Sequence, residues 1–483
     1  MPSMPSSAGS NTTATTTIST VGPPSRRNTE LALLAFAVIL PCFAYANVGL
    51  ALNGEMPSGM LGYGLGLGLL GGVGHLVVRK FAKYADPLLL PLATLLNGLG
   101  LVMIWRLDQS ERLARLAQMH HQTFVAYAPK QLLYTALGIA LFVAVVIFLK
   151  DHRLLQRYTY ISMVVALVLL IAPVFFPAQF GARIWITVPG LGSLQPGEFA
   201  KIILAIFFAG YLMVKRDALA LASRRFLGLY LPRGRDLGPI LAVWAFSLLI
   251  LIFETDLGSS LLFFGMFVVM LYVATERTSW IVFGLLMSAG GAAVVGSIEP
   301  HVKIRVMAWL HPFAVYDTPR PSWATTEQIA QALFAFGSGG VFGSGWGQGA
   351  SDLIGFAANS DFILGTVGEE LGLAGTMAIL LVYGLVVERG VRTALAARDP
   401  FGKLLATGLS AGFAIQVFVV AGGVMGLIPM TGMTLPFMAY GGSSVLANWA
   451  LVAILIKISD TARRPAPAPA PSPDAEMTQV VRP

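Results

Sequence analysis

The 483-residue sequence predicts an all-α polytopic membrane protein, on three observations. Hydrophobic residues make up 56% of the chain and charged residues 12%, with a mean hydropathy of +0.73, which excludes a soluble globule. Apolar runs approaching the roughly 20 residues a helix needs to cross a bilayer recur along almost the whole length. Lys and Arg fall mainly in alternate connections between those runs, the asymmetry expected of chains that thread a membrane.

Taken in order, twelve runs qualify as spans: about 31–50, 60–78, 87–105, 131–149, 158–176, 199–214, 238–253, 257–273, 280–297, 361–387, 404–427 and 434–457. Many of their connections are short, so they form one polytopic domain. Residues 1–30 are rich in Ser and Thr, include Arg26-Arg27 near their end, and read as a disordered tail. The 31–50 run follows that tail without a small-residue cleavage site, which makes it a span rather than a signal peptide. Residues 461–483 contain alternating Ala and Pro and read as an extended tail. Cys42, the single cysteine, lies inside the first run, so no intramolecular disulfide braces the loops.

With the amino terminus in the cytoplasm, the inner connections hold 23 of the 32 Lys and Arg residues, the outer ones hold eight, and Lys201 lies within a span. The expected topology therefore has both termini inside, with most of the +8 net charge facing anionic headgroups. Charges divided among short loops do not build a nucleic-acid surface.

That topology gathers the unusual polar clusters on the outer face. Glu198 and Lys201 lie three apart at a helix start, with the carboxylate at the positive end of the helix dipole. They read as a self-neutralised pair at the bilayer boundary, or as the lining of a polar cavity that holds Arg183 or a cation for an anionic substrate. Asp256, in the tight turn Glu254-Thr255-Asp256, reads equally as a helix cap and as part of the same pocket. Seven glycines lie between Phe336 and Ala350. No Gly-Lys-Ser/Thr follows them, so this is no Walker A loop. It suits a mobile lid, or a re-entrant loop packed in protein.

Asp361 ends that polar stretch, in Ala357-Ala358-Asn359-Ser360-Asp361-Phe362-Ile363-Leu364, where a long apolar run begins. An ionisable group at such a boundary is a functional candidate by default, against the plainer reading of a helix cap. On a helix at about 100° per residue, Gly365, Gly368 and Gly372 fall within about 40° of Asp361. A glycine strip there implies an open groove or a tight helix contact, and either keeps the carboxylate from lipid. Two decoys drop out. Gly66-Leu67-Gly68-Leu69-Leu70-Gly71 sits inside a span with no preceding strand and reads as a packing face. His75, His120, His121, His152, His301 and His311 show no metal-ligand spacing.

A series of motifs then carries a resemblance. Gly181-Ala182-Arg183-x-Trp185-Ile186, Gln195-Pro196-Gly197-Glu198-x-x-Lys201, Asp256-Leu257-Gly258-Ser259-Ser260, the Ser360–Gly372 segment and the segment 428–444 resemble the SEDS family, the shape, elongation, division and sporulation proteins typified by RodA and FtsW. The match runs in order from about Ala85 to Asp460. It divides the chain into two extra transmembrane helices at 31–83 and a ten-span core at 84–460, with 298–360 as a large extracellular loop. The extra helices and the flavour of the motifs favour the RodA-like branch. Three departures stand out: Asn359-Ser360 where the family usually has His-Thr or His-Asn, Ala439 where Ser often precedes Tyr-Gly-Gly, and the two added spans.

The resemblance implies a peptidoglycan glycosyltransferase that polymerises lipid II on the outer face of the bacterial plasma membrane. Its implied partner is a class B penicillin-binding protein, which cross-links the peptides. The family's proposed catalytic aspartate falls on Asp361 and its glutamate–lysine pair on Glu198 and Lys201. Arg183, Asp256, Ser443 and Ser444 complete the candidate substrate-binding set. A divalent cation, Mg²⁺ or Mn²⁺, is expected from the family, although the sequence shows no dedicated cage. The chemistry agrees: a carboxylate base acting on a sugar hydroxyl contributes roughly 10²–10⁴-fold. A diphosphate leaving group calls for positive charge from Arg183, Lys201 or a metal. A lipid-linked precursor flippase or transporter is the alternative, and a non-catalytic scaffold the third reading. Polar clusters confined to one side argue against alternating access.

Overall fold

Inside a bilayer no water is available to the backbone, so each apolar run satisfies its own N–H and C=O groups by coiling into a helix. A computed structural model describes residues 25–119, 125–178, 183–188, 192–220, 224–226, 229–231, 241–246, 249–250, 256–324 and 327–465. Among the described residues, eleven helical segments are long and apolar enough to cross a membrane. The one remaining expected span, 238–253, the seventh in chain order, lies partly outside the described residues, and 241–246 and 249–250 within it are helical. The tails 1–24 and 466–483, Gly181-Ala182 and Glu254-Thr255 also lie outside them.

The chain enters through α1 (Arg27–Asn53) and α2 (Met60–Phe81), then α3 (Leu89–Asp108), a short α4 (Glu111–Met119) and α5 (Ala128–Phe148). The next span, His152–Phe175, is α6 (Thr159–Ile171) flanked by 3₁₀ turns. The strands Ile186–Val188 and Gly192–Leu194 pair as a small antiparallel hairpin ahead of α7 (Gly197–Ala220). After α8 (Leu257–Thr275) and α9 (Ser279–Ile298), the segment expected as one large loop contains α10 (Pro300–Leu310) and α11 (Gln328–Gly339). Pro300, at the first helical position where its missing N–H costs nothing, starts α10. Three long helices complete the bundle: α12 (Ile363–Ala396), α13 (Pro400–Val424) and α14 (Gly442–Arg463).

The bundle is layered by burial. In α3 and α14 the apolar windows are 83% and 89% buried, whereas α9 buries only 17% of its window and lies at the edge. Polar groups in the centre are matched: the buried Trp449 donates from Nε1 to Asn97 Oδ1 at 3.1 Å.

Two ends can be told apart. At one, Arg27 bonds Glu30 and the Ala85 carbonyl, His75 Nδ1 lies 2.7 Å from Glu30 Oε1, and Asp86 pairs with Arg463. These ties fasten the start of α1 and the end of α14 to the same short 82–88 connection. At the other, loop-bearing end, Tyr45 of α1 stacks on Tyr63 of α2 at 4.9 Å and meets Trp105 of α3 at 4.2 Å. The first two helices are therefore anchored to the core at both ends.

Candidate functional site

Asp361 does not stand on a helix. Ser360 has φ −118°, ψ −99°, and α12 begins at Ile363 with Phe362 as its cap and no side-chain capping bond. The capping reading of Asp361 therefore fails, and so does its helical phase relative to the glycines. Gly365, Gly368 and Gly372 do share one face, but that face packs on α11 and the glycine-rich segment. A Cβ on Gly365 would meet Ile354 at 3.3 Å and Ala332 at 3.6 Å, and one on Gly368 would strike Phe336. The strip is a tight helix contact, not a groove.

The glycine-rich segment is packed rather than lid-like. At Gly372 α12 breaks, with φ 65° and ψ −166°, and Gly343 (φ 83°) passes so close that a side chain on either would collide with the other's backbone neighbourhood. The broken turn exposes carbonyls that the segment fills: Ser344 N donates to Glu369 O at 2.9 Å and Gly345 N to Glu370 O at 3.0 Å. Two buried carboxylates pin it further. Glu370 pairs with Arg106 and accepts from Gly347 N at 2.9 Å, while Glu369 accepts from Ala350 N at 2.9 Å. Trp346 packs beside Tyr45 and Val48, and Gly347 lies against Val48–Leu52 of α1. The first helix thus supports the loop that holds α12.

The turn carrying Asp361 is fixed from the other side by the segment between α13 and α14. Tyr440 N donates to Asn359 O at 2.7 Å. A Cβ on Gly432 would lie 3.8 Å from Asp361 Oδ2 and 3.6 Å from Nη2 of Arg305 on α10. Arg305 Nη1 donates to Thr431 O at 2.8 Å, which aims the guanidinium into this corner. Among the described residues Asp361 itself makes no hydrogen bond or ion pair. Asp361 lies two residues ahead of α12, with part of its surface open and a dense shell of protein atoms around the rest. Desolvation pushes its carboxyl up from the ordinary range to about 7, with Arg305 opposing and the charge of Asp256 adding.

The other candidates are engaged. Asp256 caps α8, accepting from Ser259 N at 3.1 Å and Ser259 Oγ at 2.6 Å. Lys201 Nζ donates to Glu198 Oε2 at 2.6 Å, Gln416 Oε1 at 2.8 Å and Asn448 Oδ1 at 3.1 Å. That uses all three donors of the ammonium. Gln416 Nε2 in turn donates to Thr434 O at 3.0 Å, and Ser444 accepts from Asn448. Ser443 Oγ accepts from Gln195 N at 2.8 Å. Arg183 is exposed, and among the described residues it bonds neither Glu198 nor Asp361. The geometry thus gathers Asp361 and Asp256 in one region and closes Glu198, Lys201, Ser443 and Ser444 into the braces of the 431–444 segment. It leaves Arg183 apart.

Arg305 was not singled out from the sequence, nor were Gln416, Asn448 and Arg106. A signal existed for the two amides: Gln and Asn inside apolar runs are costly unless bonded, so each asks for a partner. For Arg305 the signal was a cation four residues before a tryptophan, in a proline-started helix on the side where Lys and Arg are scarce.

A polytopic helical membrane protein whose polar site is gathered at one end of the bundle is the class that this fold and site define. The chain belongs to the FtsW/RodA/SpoVE family of cell cycle proteins, whose model matches residues 87–464. It is 50% identical over 446 residues to the peptidoglycan glycosyltransferase RodA of Mycobacterium tuberculosis, covering 92% of each chain. That match is too long to avoid α1 and α2 entirely, whereas the family model starts after them. The fold is shared with the crystal structure of the Thermus thermophilus rod shape determining protein RodA, at 22% identity and a TM-score of 0.52, over 78% of this chain and 96% of that one. It is also shared with a chain of a peptidoglycan synthase complex described as coordinating polymerization and crosslinking, at 22% identity and a TM-score of 0.51, over 83% and 98%.

Proposed function

We propose that this chain, a peptidoglycan glycosyltransferase by its kinship with RodA, polymerises lipid II with Asp361 as general base and Arg305 as the cation for the departing diphosphate. The observation that carries this reading is the corner at Gly432, where an unengaged carboxylate and a guanidinium with free nitrogens converge. An acceptor-sugar hydroxyl gives its proton to Asp361 as its oxygen bonds to the donor's anomeric carbon. The bond from that carbon to the diphosphate breaks, and the electron pair leaves with the phosphate oxygen toward Arg305. Asp256 is committed as a cap, and among the described residues no other carboxylate is placed beside Asp361 to form a glycosyl-enzyme. This favours one displacement with inversion, by analogy with inverting glycosidases.

The divalent cation remains part of the proposal only as a companion of the substrate's diphosphate. Among the described residues no group of three or more His, Cys, Asp or Glu is arranged to hold a metal, and no step above passes through one. Orientation belongs to the same reading. Arg27, Arg79, Arg389 and Arg463 sit at the end opposite Asp361, which supports cytoplasmic termini and an outward-facing site. Kinship with RodA supports an elongation role, and the fold shared with a polymerising and cross-linking complex supports a class B penicillin-binding protein as partner. The test is reconstitution with lipid II, with and without that partner. Polymer from the wild-type chain and none from Asp361→Asn is the expected result, and an active Asp361→Asn refutes the assignment.

A further inference from the structure

Beyond Arg305, α10 leads to a second cavity. Arg305 and Trp309 are four apart on one helix face and both hold the backbone between α13 and α14, Trp309 Nε1 donating to Gly426 O at 2.8 Å. Against Trp309 lies a cavity of about 110 Å³, lined also by Pro312, Ile428 and Met430. Pro312 is shared with a larger, more open cleft of about 380 Å³, lined by Leu310, His311, Phe313, Asp317, Pro321 and Trp323 among others. The cleft begins five residues past Arg305, about 7.5 Å along the helix axis. Its size falls in the ~300–1,000 Å³ range of small-molecule sites.

The lining specifies the ligand's chemistry. Trp323 rests one side on Val315, Ala324 and Ala330, and the His311 ring lies 6.3 Å from it at 48°, so the two flat rings do not stack on one another. Among the described residues the His311 imidazole and the Asp317 carboxylate make no hydrogen bond or ion pair. An anionic phosphate would meet Asp317 with no Lys or Arg in the lining, and a wholly apolar ligand would desolvate that carboxylate without return. A neutral ring with C–H faces and hydroxyl or amide edges satisfies both walls.

We propose that this cleft is a saccharide subsite, holding an N-acetylhexosamine unit of the glycan strand beyond the sugar that reacts. It rests on the reading of the Asp361–Arg305 corner as the reacting centre, since the path to the cleft is measured from Arg305. A subsite at that remove keeps the strand attached between additions.

The test uses the full-length chain, with a soluble tetramer of β-1,4-linked N-acetylglucosamine as probe and strand length measured in parallel from lipid II. The probe binds wild type and Asp361→Asn alike. Trp323→Ala weakens it by about tenfold or more, as expected when an aromatic anchor is truncated. Trp323→Phe, which keeps a flat ring, retains more affinity than Trp323→Ala. His311→Ala, on an exposed wall and without consequence for folding, also weakens binding. Both alanine variants make shorter strands for the lipid consumed. No binding by wild type, or unchanged affinity in Trp323→Ala and His311→Ala, overturns the proposal. Binding lost in Asp361→Asn puts the saccharide at the reacting centre instead and overturns it too. An Asp361→Asn chain that polymerises refutes the base while the probe still decides the cleft.

Discussion

Lys201 and Arg305 are both cations beside a carboxylate at the loop-bearing end of the bundle, and they are treated in opposite ways. Around Lys201 every ammonium donor is taken, by Glu198, Gln416 and Asn448, and the cluster is buried. Around Arg305 one nitrogen is anchored on Thr431 while Nη2 faces the corner shared with Asp361. A buried charge pair holds together only when its remaining valences are satisfied, which the first cluster achieves. A reacting centre has to leave some unsatisfied, as the second does. On the proposed mechanism the leaving-group cation is therefore Arg305, while Lys201 braces the 431–444 segment that frames the corner.

The largest effect falls on the open cluster. Asp361→Asn keeps the shape and removes the base, so turnover drops by about 10²–10⁴-fold while lipid II binding is largely retained. A dead Asp256→Asn beside an active Asp361→Asn would reassign the base to Asp256. The same group sets a pH profile. A base must be ionised, and its carboxyl is raised to about 7, so the rate climbs through roughly neutral pH and falls on the acid side. A rate flat from pH 5 to 8, an interval that brackets this raised carboxyl, counts against Asp361 as base.

The closed cluster fails differently. Lys201→Met leaves Glu198 buried and unpaired, a loss of about 3–5 kcal/mol of stability. Thermal unfolding of the purified chain measures it. Exchanging the two, Glu198→Lys with Lys201→Glu, keeps the attraction but turns a cation toward the positive end of α7 and misplaces both amide partners. The expected result is a chain that accumulates and works poorly. Full activity of the exchange reduces the cluster to a bare ion pair.

Arg305→Gln sharpens the open side. Removing one preorganised donor from developing charge costs about 10²–10³-fold in turnover. Arg305→Lys recovers part of it, because the charge stays while the anchor to Thr431 is weakened. Turnover untouched in Arg305→Gln, with Lys201→Met inactive but well folded, would reverse the roles of the two cations.

Much of this contrast was legible in the sequence, and the reasons for the rest are specific. Apolar run length is a direct record of the bilayer, so the helices follow from it. Asp361 was marked by its boundary between a polar stretch and an apolar run. Its conformation is not, because the apolar run extends helical periodicity two residues ahead of the true start of α12. Glu198 and Lys201 announce themselves by their spacing of three. Their closure depends on Gln416 and Asn448, from helices more than 200 positions away in the chain, and no local pattern encodes that meeting. The glycine-rich segment could be read as mobile or packed, and only the carbonyls bared by the break at Gly372 decide for packing.

The first two helices make a smaller difference. Every motif that carries the family resemblance lies beyond residue 80, yet Trp346 and Gly347 rest on α1 and connect through Glu370 to the start of α12. Trp346→Ala removes a partly buried aromatic from that seam, at about 1–3 kcal/mol of stability. Its effect on turnover is expected to stay under about tenfold, since no reacting group moves out of reach. A well-folded chain lacking residues 1–80 that polymerises at the full rate would show the seam to be ornamental.

The smallest expected effect belongs to Arg183. It lies in one of the motifs that carry the family resemblance and is a sequence candidate for the diphosphate. In the structure it is exposed, at the foot of the hairpin before α7, and among the described residues it makes no bond to Glu198, Lys201 or Asp361. A solvated guanidinium that makes no direct contact with an anion gains little from one, because salt screens exposed charges. Arg183→Ala is therefore expected to change stability by no more than about 0.5 kcal/mol. Turnover at saturating lipid II stays within about twofold, and any rise in KM is larger at low salt than at high salt. A loss of turnover matching that of Arg305→Gln, independent of salt, would mean that the hairpin closes onto the substrate, and the open cluster would then contain two arginines rather than one.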